Sequence, residues 1–271
     1  IGSNDAGAVG MSVLGSASQG TNSSSGKLLL QNTSTNLSAG VYNEGTFVNA
    51  GEIEVYGDKG IGVYSKGAAT NTTLSNKLTV SGDNSIALFS DGVVSSNFKI
   101  GGLVLNVSGT DAYAFYSKNG GGYSITGNTA VNVGAGSIGF QYVGSGLNAP
   151  INPADITNMF NSAGGTLTFN LNPNSYAMVI QNAKINISDL GTFTSIMPAH
   201  VVMSGSDKAK VYKGHLEIDE DSSIDSGAVT NVKYRDLLVA SSRITLGSGK
   251  TLSGTEAGLI GIGQENDSIA G

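Results

Sequence analysis

Any fold for this chain has to accommodate a short unit that recurs in phase along its centre. Its clearest copy runs Glu52-Ile-Glu-Val-Tyr-Gly-Asp-Lys-Gly-Ile-Gly-Val-Tyr-Ser-Lys-Gly67. Two alternating runs, Ile53/Val55 and Ile61/Val63, flank a Gly-Asp-Lys-Gly turn. Alternation of apolar and polar residues is the period of a strand with one covered face, and the glycines mark a corner. The unit returns at 77–92 and 104–119, and more loosely at 131–142 and 167–180. Taking Val63, Leu88, Phe115 and Phe140 as equivalent, the steps are 25, 27 and 25 residues. Self-similarity on this scale marks a solenoid or an array.

In-phase recurrence also says how the units meet. Like residues fall into two columns: Ile61, Ile86, Tyr113, Ile138, Tyr176 and then Val63, Leu88, Phe115, Phe140, Met178. One coil cannot bury its inner face alone, whereas stacked coils share a continuous core. The period fits three short strands and three turns per coil. A leucine-rich horseshoe would need a fixed Leu/Asn template, and a propeller blade would need a longer, antiparallel unit. The expected fold is therefore all-β, a right-handed parallel β-helix (β-solenoid) of about ten coils, the hand following from the bias of parallel crossovers. At roughly 4.8 Å per stacked strand such a body would be on the order of 45–50 Å long. Residues 1–271 read as one β-helix segment with an inserted loop or short helix at 143–165. There Asn152 is a cap, Pro153 occupies the first helical position and Asp155 the first turn. Ile156, Met159 and Phe160 follow at helical spacing and would pack the excursion down onto the coil. Further on, Val202, Leu238 and Ile260 are expected to continue the Met178 column.

Composition narrows the function classes. The 271 residues include 40 glycines, 4 prolines, no Cys and no Trp, with 13% charged. Mean hydropathy is +0.03, too apolar for a disordered chain. A net charge of −6 gives no electrostatic support for nucleic-acid binding. Without Cys there is no disulfide framework, zinc cluster or thiol chemistry. No apolar run is long enough for a transmembrane helix. The closing Asn266-Asp-Ser-Ile-Ala-Gly271 resembles Asp83-Asn-Ser-Ile-Ala87, so the chain reads as a piece of something longer.

Gly45-Thr-Phe-Val-Asn-Ala-Gly51-Glu-Ile-Glu-Val-Tyr-Gly57, followed by Gly60-Ile-Gly-Val-Tyr-Ser-Lys-Gly67, resembles the repeats of large autotransporter (type V secreted) adhesin passengers of the Gram-negative outer membrane. The resemblance covers residues 35–145 well and the remainder by composition only. It implies a right-handed parallel β-helix exported through the envelope and displayed on the cell surface by a C-terminal β-barrel outside this chain. Its partners would be a host-cell surface protein or glycan, or another bacterium. The motifs are structural and identify no active site, metal or cofactor.

The residues themselves offer little chemistry. Catalytic β-helices cluster carboxylates with Lys or Arg on one outer face. The best cluster here is Glu217, Asp219, Asp221 and Asp225, with Arg235 and Arg243 downstream. Such a group reads first as a solvated strand edge beside the basic run Lys208, Lys210, Lys213 and His215. His200 and His215 are too scattered for a metal site or a triad. The glycine-rich turns lack a phosphate-binding Gly-x-x-x-x-Gly-Lys-Ser/Thr. The expectation is a non-catalytic protein, the alternatives being a β-helical polysaccharide lyase or tailspike-like hydrolase and a pure spacer stalk.

One feature exceeds core packing. If Ile61 and Val63 face inward, Gly62 and Tyr64 face outward. The same phase gives an outward strip of small residues at Gly10, Gly40, Gly62, Ala87, Ala114, Gly139 and Ala177. Beside it run Tyr42, Tyr64, Phe89 and Tyr116. A strip bordered by aromatics would admit a sugar ring or another protein, and the bland reading is a ladder that only protects the sheet. With Asp155 and Asn158 on the excursion, these aromatics are the candidate partner-binding residues.

Overall fold

The computed structural model describes residues 2–3, 8–31, 38–151, 153–186, 188, 198–204, 209–223, 237–241, 243–253 and 260–262. Among these the chain is all-β, apart from one α-helix at Pro153–Met159 and 3-10 conformation at Ser95–Asn97 and Ser188. Every strand pairs in parallel; up to Ile218 the chain passes back and forth between two large sheets, and Ser222–Ser223 pairs with Leu252–Ser253 in a small third one. The first sheet receives Lys27–Leu30, Glu52–Tyr56, Asn71–Ser81, Phe98–Ser108, Thr129–Val133, Leu167–Leu171 and Val201–Ser204. The second receives Val9–Val13, Ser38–Asn43, Gly60–Lys66, Ile86–Asp91, Tyr113–Lys118, Ile138–Val143 and Tyr176–Asn186, then Ala209–Ile218, Leu237–Ser241 and Ile260–Ile262. Each return to a sheet lands one strand further along it.

Register follows the repeat. Met11, Val41, Val63, Leu88, Phe115, Phe140 and Met178 are successive partners in the second sheet. Val41, Val63, Leu88, Phe115 and Phe140 are fully buried in one core. Beyond Met178 the expected equivalences fail. Met178 pairs with Lys210, and Lys210 with Leu237. Val202 instead lies in the first sheet beside Thr168. Val201-Val-Met203 is a short apolar run whose period fits either sheet, so spacing alone put it in the wrong one.

The inward and outward phase also needs correction. A Cβ on Gly62 would meet Leu78 and Val80 of the first sheet at 3.0 and 3.1 Å. One on Gly40 would meet Ile53 and Val55, and one on Gly139 would meet Phe169. Ala87, Ala114 and Ala177 are likewise buried in the core. The small residues therefore face inward and do not form an outer strip. They are small because the large side chains of the first sheet already fill the space opposite. Val63 faces inward too, so consecutive residues share the interior, and the pairing of this strand with Ile86–Asp91 omits the Gly62–Ala87 rung. Ile138, expected inside, instead joins Val179, Tyr113 and Tyr176 in a separate cluster. Strict alternation predicts the wrong face wherever two consecutive residues both face inward.

Turns between the strands use backbone that few residues adopt. Lys59, Asn84 and Asp111 all have positive φ at the same corner. The preceding glycines stack so closely that a Cβ on Gly82 would lie 2.1 Å from the Gly57 carbonyl oxygen, a position no other residue can fill. At another corner Asn22 Nδ2 donates to Asn49 Oδ1 at 2.7 Å, and Asn49 Nδ2 donates to the Ser75 carbonyl at 3.0 Å. Both asparagines are buried, so this chain of bonds satisfies groups that would otherwise destabilise the core.

The excursion at 143–165 is the helix the sequence announces, with Asp155 in its first turn; Asn152 falls outside the described residues. Ile156, Met159 and Phe160 are buried in the main core. Phe160–Ser162 then pairs with Tyr123–Ile125 and so extends the first sheet. The Phe160 ring packs against Phe115, Tyr123, Phe140 and Phe169 at centroid distances of 5.2, 5.9, 5.3 and 6.1 Å. The excursion is part of the core and not a removable loop. Within this cluster the buried Tyr123 hydroxyl shares its proton between the carbonyls of Leu88 and Tyr116, at 2.9 and 2.8 Å. Burial drives its pKa well above the ordinary value.

Candidate binding surface

Four successive strands of the second sheet bring the predicted aromatics into one ladder. Tyr42 meets Tyr64 edge-on at 5.2 Å, Tyr64 stacks on Phe89 at 4.5 Å, and Phe89 leans on Tyr116 at 4.7 Å. The Tyr64–Phe89 planes diverge by only 8°. All four rings are half-buried on the outer face. They align because parallel in-register pairing sets like residues one strand spacing apart.

The polar edge of the ladder is tied back to the protein. The Tyr42 hydroxyl donates to Glu44 Oε1 at 2.6 Å, and that bond to a carboxylate pushes its pKa up to about 12. Tyr64 donates to Asp91 Oδ2 at 2.9 Å. Burial first, and the Asp91 hydrogen bond second, raise its pKa further. Asn119 Nδ2 holds the other Asp91 oxygen at 2.6 Å. What the ladder offers a partner is therefore ring surface rather than free hydroxyls at Tyr42 and Tyr64.

The ladder is wider at one end than the sequence suggests. Tyr113 meets Tyr116 edge-on at 5.7 Å, which joins the four rings to the Ile138, Val179 and Tyr176 cluster. In register the next rung after Tyr116 is Gln141, where the aromatic column stops. Gln141 Nε2 donates to Gln181 Oε1 at 2.5 Å. Asp155 and Asn158 are exposed on the helix and lie outside the ladder. The Tyr142 hydroxyl, on the second sheet, donates to Asp155 Oδ2 at 3.4 Å. Burial and the Asp155 charge push the Tyr142 pKa up to about 12.

Among the described residues, the carboxylates singled out in the sequence each bind a different partner. Glu217 forms an ion pair with Lys184. Asp219 accepts from the Ser188 hydroxyl at 2.6 Å and its N–H at 3.0 Å. Burial pushes Asp219 up, but these bonds outweigh it and hold the carboxyl below its ordinary value. Asp221 accepts from the Thr251 N–H at 2.9 Å. Asp225 and Arg235 lie outside the described residues. Among the described residues no three His, Cys, Asp or Glu side chains could together hold a metal ion. Nor is any helix long and apolar enough to cross a membrane.

A second ladder escaped the sequence reading. On the outer face of the first sheet Thr79, Asn106, Asn132 and Asn170 are successive register partners. Asn132 Nδ2 donates to Asn106 Oδ1 at 2.7 Å, and Asn170 Nδ2 donates to Asn132 Oδ1 at 2.9 Å. The available signal was an asparagine between two apolar residues in three successive units: Leu105-Asn106-Val107, Val131-Asn132-Val133 and Phe169-Asn170-Leu171. Comparison of the chain with protein-family models, with curated proteins and with solved structures finds no match.

Proposed function

We propose that the chain is a non-catalytic, surface-displayed adhesin segment, folded as a right-handed parallel β-helix of about ten coils, that binds a host-cell surface protein or glycan or another bacterium. Support for the coil comes from the repeated passage between two parallel sheets up to Ile218 and the one-strand advance at each return. The observation that carries the binding reading is the half-exposed ring ladder Tyr42–Tyr64–Phe89–Tyr116. Aligned rings give a partner apolar contact of fixed geometry, and a scaffold of stacked strands loses little entropy when it binds.

A spacer reading has one observation in its favour: the phenol protons of Tyr42 and Tyr64 are already taken by Glu44 and Asp91. Adhesion assays with the chain on epithelial cells and on bacteria separate the two. The adhesin reading expects the parent to adhere and the double variant Tyr64→Ala, Tyr116→Ala to adhere several-fold less. Asp155→Ala with Asn158→Ala tests the exposed helix without disturbing Phe160. No adhesion by the parent would leave the spacer. Full adhesion by both variants would remove Tyr64, Tyr116, Asp155 and Asn158 from the binding surface.

A further inference from the structure

We propose that the outer face of the first sheet carries a binding groove for a neutral linear glycan, recognised by the Asn106–Asn132–Asn170 carboxamide ladder. The proposal deepens the adhesin reading by naming a ligand class. It uses a different sheet from the aromatic ladder, so either can fail alone.

A groove of about 520 Å³ runs across these strands, lined among others by Asn106, Asn132, Asn170, Ser108, Pro173 and Ser204. None of its lining residues carries a charge. Asn132 and Asn170 are exposed and Asn106 half-buried. A carboxamide has two N–H donors and an oxygen with two lone pairs. Along the ladder each asparagine spends one N–H, Asn106 on Thr79 Oγ1 at 3.4 Å and the others on the preceding asparagine. One N–H and at least one lone pair per rung remain for a ligand.

Asparagine is a poor strand former, and in-register stacking alone does not demand it. Thr79 fills the equivalent position one strand earlier with a residue better suited to a sheet. Asparagine ladders do add to the cohesion of stacked strands. Cohesion leaves unexplained why the ladder lies in a shallow groove whose lining mixes amides with apolar side chains and carries no charge. A donor beside an acceptor on each rung is what a pair of neighbouring sugar hydroxyls requires, since each hydroxyl both donates and accepts. Rungs recur at the strand spacing of about 4.7–4.9 Å, close to the advance per sugar of an extended linear glycan. With a net charge of −6 on the chain and no cation in the groove, an anionic glycan would be repelled.

The test is titration of the isotope-labelled chain with cello-, xylo-, manno- and malto-hexaose and with a heparin hexasaccharide, followed by NMR. The expected result is millimolar binding of at least one neutral hexaose, with shifts at the Asn106, Asn132 and Asn170 side-chain amides. The triple variant Asn106→Thr, Asn132→Thr, Asn170→Thr should weaken binding about tenfold or more, from the loss of several hydrogen bonds. Should that variant fail to fold, Asn132→Ser and the map of shifted amides carry the decision. Binding of heparin alone, shifts confined to the aromatic ladder, or no binding by any hexaose would overturn the proposal. So would concentration-dependent self-association that the ladder variants abolish, since the groove would then be filled by a second copy. Adhesion by a parent chain that binds no hexaose would confine the failure to the groove and leave the aromatic surface standing.

Discussion

The two sheets carry two ladders built by the same rule, yet they differ in what they leave for a partner. On the second sheet Tyr42, Tyr64, Phe89 and Tyr116 stack ring on ring, with the Tyr42 and Tyr64 hydroxyls tied to carboxylates of the chain itself. On the first sheet Asn106, Asn132 and Asn170 bond rung to rung and still retain donors and acceptors. Parallel in-register pairing stacks whatever residue a position holds, so the repeat fixes that ladders exist. Side-chain chemistry then decides whether a ladder spends its interactions on the protein or keeps them. Aromatic rungs contribute packing, while amide rungs contribute hydrogen bonds that remain half unused.

The most severe way to break the comparison is to remove the interior both ladders depend on. Leu88 and Ala87 are both buried beside Phe89. Leu88→Asp or Ala87→Asp places an unpaired charge in the core and should cost several kcal/mol, enough to unfold the neighbouring strands. Thermal melts followed by circular dichroism check this. An Ala87→Asp variant that melts with the parent would return that position to the surface and undo the corrected phase.

A smaller effect separates the ladders directly. Tyr64 has two ring neighbours, so Tyr64→Ala should lower stability by about 1–2 kcal/mol, from lost ring contacts and lost apolar burial. Asn132 is exposed, and Asn132→Thr should fall within about 0.5 kcal/mol of the parent. Chemical denaturation of the two variants measures the difference. Equal losses would mean that the amide ladder is as structural as the aromatic one.

The smallest effect is a pH dependence. Tyr42 has its pKa raised from about 10 to about 12 in the folded chain, so folding favours its protonated form. Its contribution is fully present below pH 10 and is lost as the pH rises through 12. Spectrophotometric titration should show a late-ionising tyrosine that Tyr42→Phe removes. Ionisation of Tyr42 at the ordinary value would mean that its hydrogen bond to Glu44 is not maintained in solution.

What the sequence by itself determined is the repeat and its consequences along the stack. Equivalence of Val63, Leu88, Phe115 and Phe140 was legible because an in-register parallel sheet copies sequence phase into space without further information. The aromatic column and the Pro153–Met159 helix were legible for the same local reasons, a fixed position in the unit and a proline with an acid at a helix start. Direction across the stack was decided only by tertiary structure. Gly62 and Ala87 face inward because Leu78, Val80 and their neighbours occupy the opposite wall, a fact that no alternation within one strand contains. The sheet that takes Val201–Ser204, the burial of Phe160 among four rings and the concavity over Asn132 have the same origin. Each depends on which residues from distant parts of the chain compete for one volume, and close packing settles that competition only after the two sheets have met.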